Sequence, residues 1–210
     1  MEKTLLPNAP IKLYRSVISG HSHRAELFLS LLDLPYTPID IDLLAGQQKQ
    51  PEFLRLNPFG QVPVIDDNGV IVADSNAILV YLATKYGEEH WLPRDPIGAA
   101  RVQSWLSVAA GEIAFGPAAA RLGRCFGMPI DIETAAQRAK NLFNVMEILL
   151  EEHPLLVGEN VTIADIACYS YIARAPEGGI SLDHYPRISA WLAHIETLPR
   201  FVPMIELAGS

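Results

Sequence analysis

An α/β unit followed by an all-helical region is the architecture this sequence predicts, and three observations predict it. Short apolar runs with strand-like spacing are confined to roughly the first 80 residues. Asn68-Gly69 stands between two of them, Val62–Ile65 and Val70–Ala73, and Asn-Gly between apolar runs is a strong hairpin signal. Beyond Pro96 strand signals nearly vanish, and apolar residues recur at helical spacing.

Element by element, Ile11–Tyr14 reads as a first strand. From Ser22 to Leu32 the apolar residues Ala25, Phe28, Leu29 and Leu32 share one helical face, and Leu34-Pro35 ends it. Thr37–Leu43 alternates like a strand, and Pro38 suggests a sheet edge. Pro51–Leu56 supplies one or two helical turns. After the hairpin, Asp74 or Ser75 caps a helix with Leu79, Leu82, Ala83 and Tyr86 on one face, closed by Gly87. The order is β-α-β-α-β-β-α. Gly87–Pro96 then reads as a linker. Ile97 to about Ala120 is a long helical region, broken or kinked near Gly116-Pro117. Ile132–Glu152 carries a stripe of Ala135, Ala139, Leu142, Met146, Leu149 and Leu150, a core face. Thr162 and Asp165 form a capping-box variant with a structural role, and Ile188, Trp191, Leu192 and Ile195 line the last clear helix.

Bulk properties exclude several function classes. The 210 residues suffice for one large domain or two small ones, and 50% are hydrophobic. A net charge of −8 argues against nucleic acid as a partner, because phosphate binding needs a basic surface. No run of eighteen apolar residues predicts a membrane span, and Met1–Pro7 lacks the hydrophobic region of a signal peptide, so the expectation is a cytoplasmic protein. The two cysteines, Cys125 and Cys168, form no C-x-x-C, which excludes a dithiol oxidoreductase of the thioredoxin kind. The residues suggest packing for Cys168 and packing or reactivity for Cys125. Neither metal-ligand spacing nor a phosphate loop occurs.

One short stretch points to a ligand. Pro63 lies inside an apolar run, where a trans proline removes a ladder donor and a cis proline is usually a selected feature. A cis Val62-Pro63 bond frees the Val62 amide and carbonyl to pair with an extended, peptide-like ligand. Asp74-Ser75 then opens a helix whose free amides favour an anion. Together they would hold the backbone and a carboxylate of a small peptide. An edge-strand proline and an ordinary N-cap are the alternative.

The surrounding residues resemble the glutathione transferase superfamily. The resemblance rests on Leu13-Tyr14, the Ser19-Gly20-His21-Ser22-His23-Arg24 turn, Leu34-Pro35-Tyr36, Asn57-Pro58-Phe59-Gly60-Gln61-Val62-Pro63, Asp74-Ser75-Asn76-Ala77-Ile78 and Tyr81-Leu82. It extends over nearly the whole chain. It implies a thioredoxin-like glutathione-binding domain over 9–88 and an all-helical domain over 95–210. It implies a homodimer, glutathione as co-substrate, no other cofactor and no metal. Residue by residue, it places the cysteinyl backbone of glutathione at Val62 and Pro63 and the γ-glutamyl group at Asp74 and Ser75. Gln48, Lys49 and Gln61 stand near the glycyl end, and His21 lines the pocket while His23 faces solvent. The family more often has Glu where Asp74 stands, so the reach to the ammonium is one methylene shorter.

The chemistry needs a thiolate. A free thiol near pKa 8.5 is only ~3% ionised at pH 7. Lowering that value by about 2 units corresponds to roughly 2.7 kcal/mol. One hydroxyl bond to a charged sulfur supplies about 1.5–3 kcal/mol, and a helix N-terminus about 0.3–1. A single serine before a helix is therefore sufficient. Three precede the first helix: Ser16, Ser19 and Ser22. The resemblance selects Ser19 as the activator, with Ser22 read as the helix cap and Tyr14 as a packing residue. A second, apolar electrophile is expected between the domains, near Ser16, Phe115, Arg121 and Arg124. The alternatives are a glutathione-dependent disulfide reductase or isomerase on the same scaffold, or a non-catalytic binding member.

Overall fold

In the computed structural model, which describes residues 6–207, the N-terminal elements build one four-stranded sheet in the order β2-β1-β3-β4. The Met1–Leu5 part of the signal-peptide reading and the last three residues of the 95–210 unit lie outside the described residues. Strand β1 (Ile11–Arg15) buries Ile11 and Leu13 and turns Lys12 outward to pair with Asp66 at 3.0 Å. Helix α1 (Gly20–Leu31) crosses back to β2 (Tyr36–Asp40), which runs parallel to β1 from Ile11↔Tyr36 to Arg15↔Asp40. Pro38 thus stands on an edge strand, where its missing N–H removes no ladder bond to a further strand.

After the short helix α2 (Pro51–Leu54), β3 (Val64–Asp67) pairs antiparallel with β1 and β4 (Val70–Ala73) with β3. Asn68 and Gly69 both have positive φ, 53° and 92°, which the favoured two-residue hairpin turn requires. Helix α3 (Ser75–Tyr86) buries Ile78, Leu79, Leu82, Ala83 and Tyr86. Across the linker, Trp91 meets Phe28 edge to face at 5.0 Å.

The C-terminal half is helical. Helix α4 (Pro96–Val108) is capped by Asp95 and widens into a five-residue π turn at Ala109–Ile113. Helix α5 (Pro117–Phe126) follows the break predicted at Gly116-Pro117. Pro117 has no N–H to continue the helix. A side chain at Gly116 would stand 2.5 Å from the Glu112 carbonyl. In α6 (Ile132–Glu152) the predicted stripe is buried except for Leu149, which is 46% exposed and stands one position round from buried Leu150. Helix α7 (Ile163–Ala173) is buried at every position from Ile163 to Ile172, the mark of a central helix, and α8 (Pro186–Glu196) packs Trp191 and Ile195 inward.

Asp165 holds this half together. Its buried carboxylate accepts the Thr162 amide at 2.9 Å, the Thr162 hydroxyl at 3.1 Å, the Leu156 amide at 3.1 Å and the Trp191 indole at 3.0 Å. The capping box predicted from Thr162 and Asp165 is therefore present and extends to α8. Removing the carboxylate would strand several buried donors at about 1–3 kcal/mol each. Asp165→Ala is expected to lower unfolding stability by on the order of 3 kcal/mol or more, read by urea denaturation. A change below about 1 kcal/mol would remove Asp165 from this role.

Candidate active site at the start of α1

The turn between β1 and α1 gathers the three candidate serines. Ser19 is the N-cap of α1, with its backbone extended at φ −91° and its Oγ accepting the Ser22 amide at 3.3 Å. The expectation that Ser22 caps the helix is corrected. Helix α1 begins one turn earlier, at Gly20, because Ser19 already takes the orphan amide. Ser22 lies buried inside the first turn, and its Oγ accepts the Ser16 amide at 3.1 Å. Ser16 is buried as well. Ser19 alone of the three is partly exposed. A cap uses an oxygen lone pair, so the Ser19 hydroxyl proton stays free to donate.

His21 and Arg24 follow on the same helix. The Arg24 guanidinium donates from Nη1 to His21 Nδ1 at 2.9 Å and to Ser75 Oγ at 3.3 Å, and Ser75 Oγ lies 3.4 Å from the same His21 nitrogen. A guanidinium only donates, so His21 Nδ1 accepts and the neutral ring carries its proton on Nε2. Burial, with the nearby Arg24 charge, pushes His21 down to about pKa 3. His21 therefore lies with Ser75. The solvent-facing position expected for His23 is overturned: it is 4% exposed. Its Nε2–H donates to the Val202 carbonyl at 2.8 Å, so Nδ1 accepts from the Ser170 hydroxyl at 2.9 Å. Burial pushes it down to about pKa 4.

The opposite wall comes from residues 57–63. Asn57 ties the loop, donating to the Gln61 carbonyl at 2.8 Å and accepting the Phe59 amide at 3.1 Å. The Val62-Pro63 bond is cis, and among the described residues the Val62 backbone groups have no backbone hydrogen-bond partner. Lys49 is exposed and donates to the Phe59 carbonyl at 3.1 Å; half-buried Gln48 precedes it and exposed Gln61 follows the loop. Gly60, at φ 60°, allows the close approach, since a side chain there would meet the Gln48 carbonyl at 2.7 Å. Asp74 is exposed at φ 76° and caps α3, accepting the Asn76 and Ala77 amides at 2.9 Å.

The residues assigned to a second-substrate pocket divide. Phe115 is 63% exposed, under the Arg138 guanidinium. Arg121 is 1% exposed, and its partners are internal: Glu177 at 2.6 Å and the Ile18 carbonyl at 2.8 Å. It therefore braces the loop before Ser19 and does not present its charge to an open pocket. Tyr14 is half-buried and packs edge-on against Phe53. Cys168 is buried, and Cys125 donates to the Glu177 carbonyl at 3.3 Å. A groove of about 710 Å³ lies elsewhere, between α3 and α4, and shares only Asp74 with this site. No group of three or more His, Cys, Asp or Glu suited to a metal occurs among the described residues.

The residues alone assigned no role to Arg24 or Glu177, while Asn57-Pro58-Phe59-Gly60 reads first as a turn and second as part of a site. Arg24 left one signal: it stands four residues before Phe28, on the apolar stripe of α1, where a charge is unexpected.

The family model described as "Glutathione S-transferase, N-terminal domain" matches residues 9–84, and the one described as "Glutathione S-transferase, C-terminal domain" matches 125–199. The chain belongs to the glutathione S-transferase family. It is 30% identical to glutathione S-transferase theta-2 of Homo sapiens over 196 residues, covering 89% of this chain and 80% of that one. It is 32% identical to the disulfide-bond oxidoreductase YfcG of Escherichia coli (strain K12) over 194 residues, covering 85% and 87%. A crystal structure of a glutathione S-transferase from Pseudomonas fluorescens Pf-5 superposes with a TM-score of 0.88 at 35% identity, covering 94% of this chain and all of that one. The thioredoxin-like sheet unit and the helical unit are those of this enzyme family. Among the described residues no helix is long and apolar enough to cross a membrane.

The two histidines make stability depend on pH. Both have folded pKa values, about 3 and about 4, below the ordinary 6.5. Below pH 6.5 the unfolded chain takes up protons that the folded chain refuses, so their contribution is full above 6.5 and falls as pH drops toward 4. Unfolding free energy measured by urea titration is expected to fall from pH 7 to pH 4.5 with a slope of up to about two protons. His21→Gln with His23→Gln should flatten that part of the slope. An unchanged slope would show that these rings titrate normally.

Proposed function

We propose that this protein binds glutathione at the start of α1 and α3 and ionises its thiol for attack on small apolar electrophiles. The observation that carries the reading is the half-exposed Ser19 hydroxyl at the N-cap of α1, its oxygen engaged by the Ser22 amide and its proton free. A sulfur beside it would accept that proton in a hydrogen bond and stand at the positive end of α1. The unpaired Val62 amide and carbonyl suit the cysteinyl backbone. The buried Ser75 hydroxyl and the Ser75 amide, which Asp74 does not take, suit the γ-glutamyl carboxylate, and the second oxygen of Asp74 suits the ammonium. Lys49, with Gln48 and Gln61, supplies donors for the glycyl end.

The electrophile would approach from the helical side, where exposed Phe115 and the Ser16–Ile18 loop offer apolar surface. Arg121 acts behind that loop, through Ile18. The reading includes a homodimer in the cytoplasm. The groove between α3 and α4, floored by Ala77, Val80, Leu106 and Ala110, is an apolar face continuous with the site at Asp74 and suits a second copy of the chain. A second reading, glutathione-dependent disulfide reduction, is favoured by the similarity to YfcG. Glutathione would supply the thiols, because the protein's own cysteines, Cys125 and Cys168, lie away from Ser19 on α5 and α7.

Ser19→Ala is expected to lower turnover with a generic aryl halide about tenfold to a thousandfold, through loss of one charge-assisted bond. The KM for glutathione should change little. The same substitution removes a helix cap worth about 0.5–2 kcal/mol, so a melting curve accompanies the assay. A normal rate in a folded mutant would move the role to Ser16 or Ser22.

A further inference from the structure

Arg24 is a buried cation without an anion. It is 1% exposed, and among the described residues no carboxylate lies within ion-pair distance of it. Its Nε and Nη2 are buried with no hydrogen-bond partner, and the face of Tyr171 lies 5.6 Å from its Cζ. Such a group opposes folding unless something repays its desolvation. Its one polar outlet is Nη1, which meets Ser75 Oγ and His21 Nδ1 together.

That geometry fixes the His21 tautomer and constrains the Ser75 hydroxyl. Ser75 Oγ accepts from the guanidinium, and its O–H can turn to His21 Nδ1 at 3.4 Å or to a ligand; the shorter 2.9 Å bond from Arg24 already occupies that nitrogen and leaves the hydroxyl proton available. His21 Nδ1 accepts from the same nitrogen, so the ring presents Nε2–H, which has no partner among the described residues. Both outward donors are polarised by the charge behind them. The groups facing this cluster are Asp74 from the α3 cap and Tyr171 and Cys168 from α7; only Asp74 is acidic at neutral pH, and it is exposed.

We propose that Arg24 is a positioning residue for an anion at the N-terminus of α3: it holds Ser75 and His21 as outward donors and supplies the buried positive charge that a bound carboxylate completes. The carboxylate is the α-carboxylate of a γ-glutamyl group, which rests on the glutathione reading above. Arg24 thereby sets ligand selectivity without touching the ligand.

The test uses calorimetry with S-methylglutathione and with the same compound lacking the γ-glutamyl α-carboxylate. The native protein should prefer the first. Arg24→Met, close in volume, should weaken S-methylglutathione about tenfold to a hundredfold and the decarboxylated compound by less than about twofold. Its melting temperature should not fall, because an unpaired buried charge has been removed; Arg24→Lys should keep part of the preference. Equal weakening of both ligands, or unchanged binding of both, in folded Arg24→Met or Arg24→Lys would overturn the proposal. If the native protein binds neither compound, the glutathione reading fails, and nitrogen NMR of His21 decides the Arg24 part alone. A single Nε2–H form in the native protein that becomes a mixture in Arg24→Met supports it, and an unchanged spectrum overturns it.

Discussion

The seat of α7 on the first turn of α1 is the contact on which the rest of the molecule depends. Gly20 makes it possible: a side chain there would stand 2.7 Å from the Tyr171 ring. With no Cβ in the way, His21 meets Tyr171 edge-on at 5.0 Å, His23 bonds Ser170, and the Arg24 guanidinium lies over Tyr171. Four of the five positions from Gly20 to Arg24 are thus defined by a helix about 150 residues later in the chain. Since α7 is itself held by Asp165 and buried all round, the orientation of Ser19 is a property of both halves of the chain. Arg121 adds a second hold from α5, through the Ile18 carbonyl.

This placement would reconcile an acidic protein with the anionic ligand proposed for it. A net charge of −8 repels anions at long range, but that field is screened within about 10 Å at ordinary salt. The local field is of opposite sign. Two helix N-termini meet there, at Ser19 and Ser75, with fully buried Arg24 behind them. Arg121 is compensated by Glu177 and so serves geometry, whereas Arg24 is uncompensated and serves charge. The acid that does lie close, Asp74, spends one oxygen on the Asn76 and Ala77 amides and leaves the other for a cation.

Local chemistry was legible in the residues; distant partners were not. Asn68-Gly69 foretold its turn because only residues tolerant of positive φ suit it, and Thr162 with Asp165 foretold a cap because both partners lie within one turn. The break at Gly116-Pro117 followed from a missing N–H. The cap of α1 was placed one turn late because Ser19 and Ser22 carry the same hydroxyl, and only the backbone at φ −91° distinguishes the capping residue. His23 was misread because its partners, Ser170 and Val202, are 147 and 179 residues away. Arg121 was misread for the same reason, since a lone arginine on a helix does not announce a buried glutamate 56 residues on. Leu149 shows the finer limit: a stripe two residues wide does not say which of two adjacent leucines turns to solvent. The candidate residues of the two short stretches lie at two helix starts, Ser19 before α1 and Asp74 before α3. Arg24 carried no assigned role, because its contacts to Ser75 and Tyr171 come from distant parts of the chain.

The central claim is that the start of α1 holds glutathione as a thiolate. Its most direct measurement is the ultraviolet absorbance of thiolate for glutathione bound to the native protein, titrated from pH 5 to pH 9. The account predicts ionisation with a midpoint about 2 units below the ordinary thiol value near 8.5, so that thiolate is the majority form at neutral pH. A bound thiol that titrates at the same pH as free glutathione would contradict it.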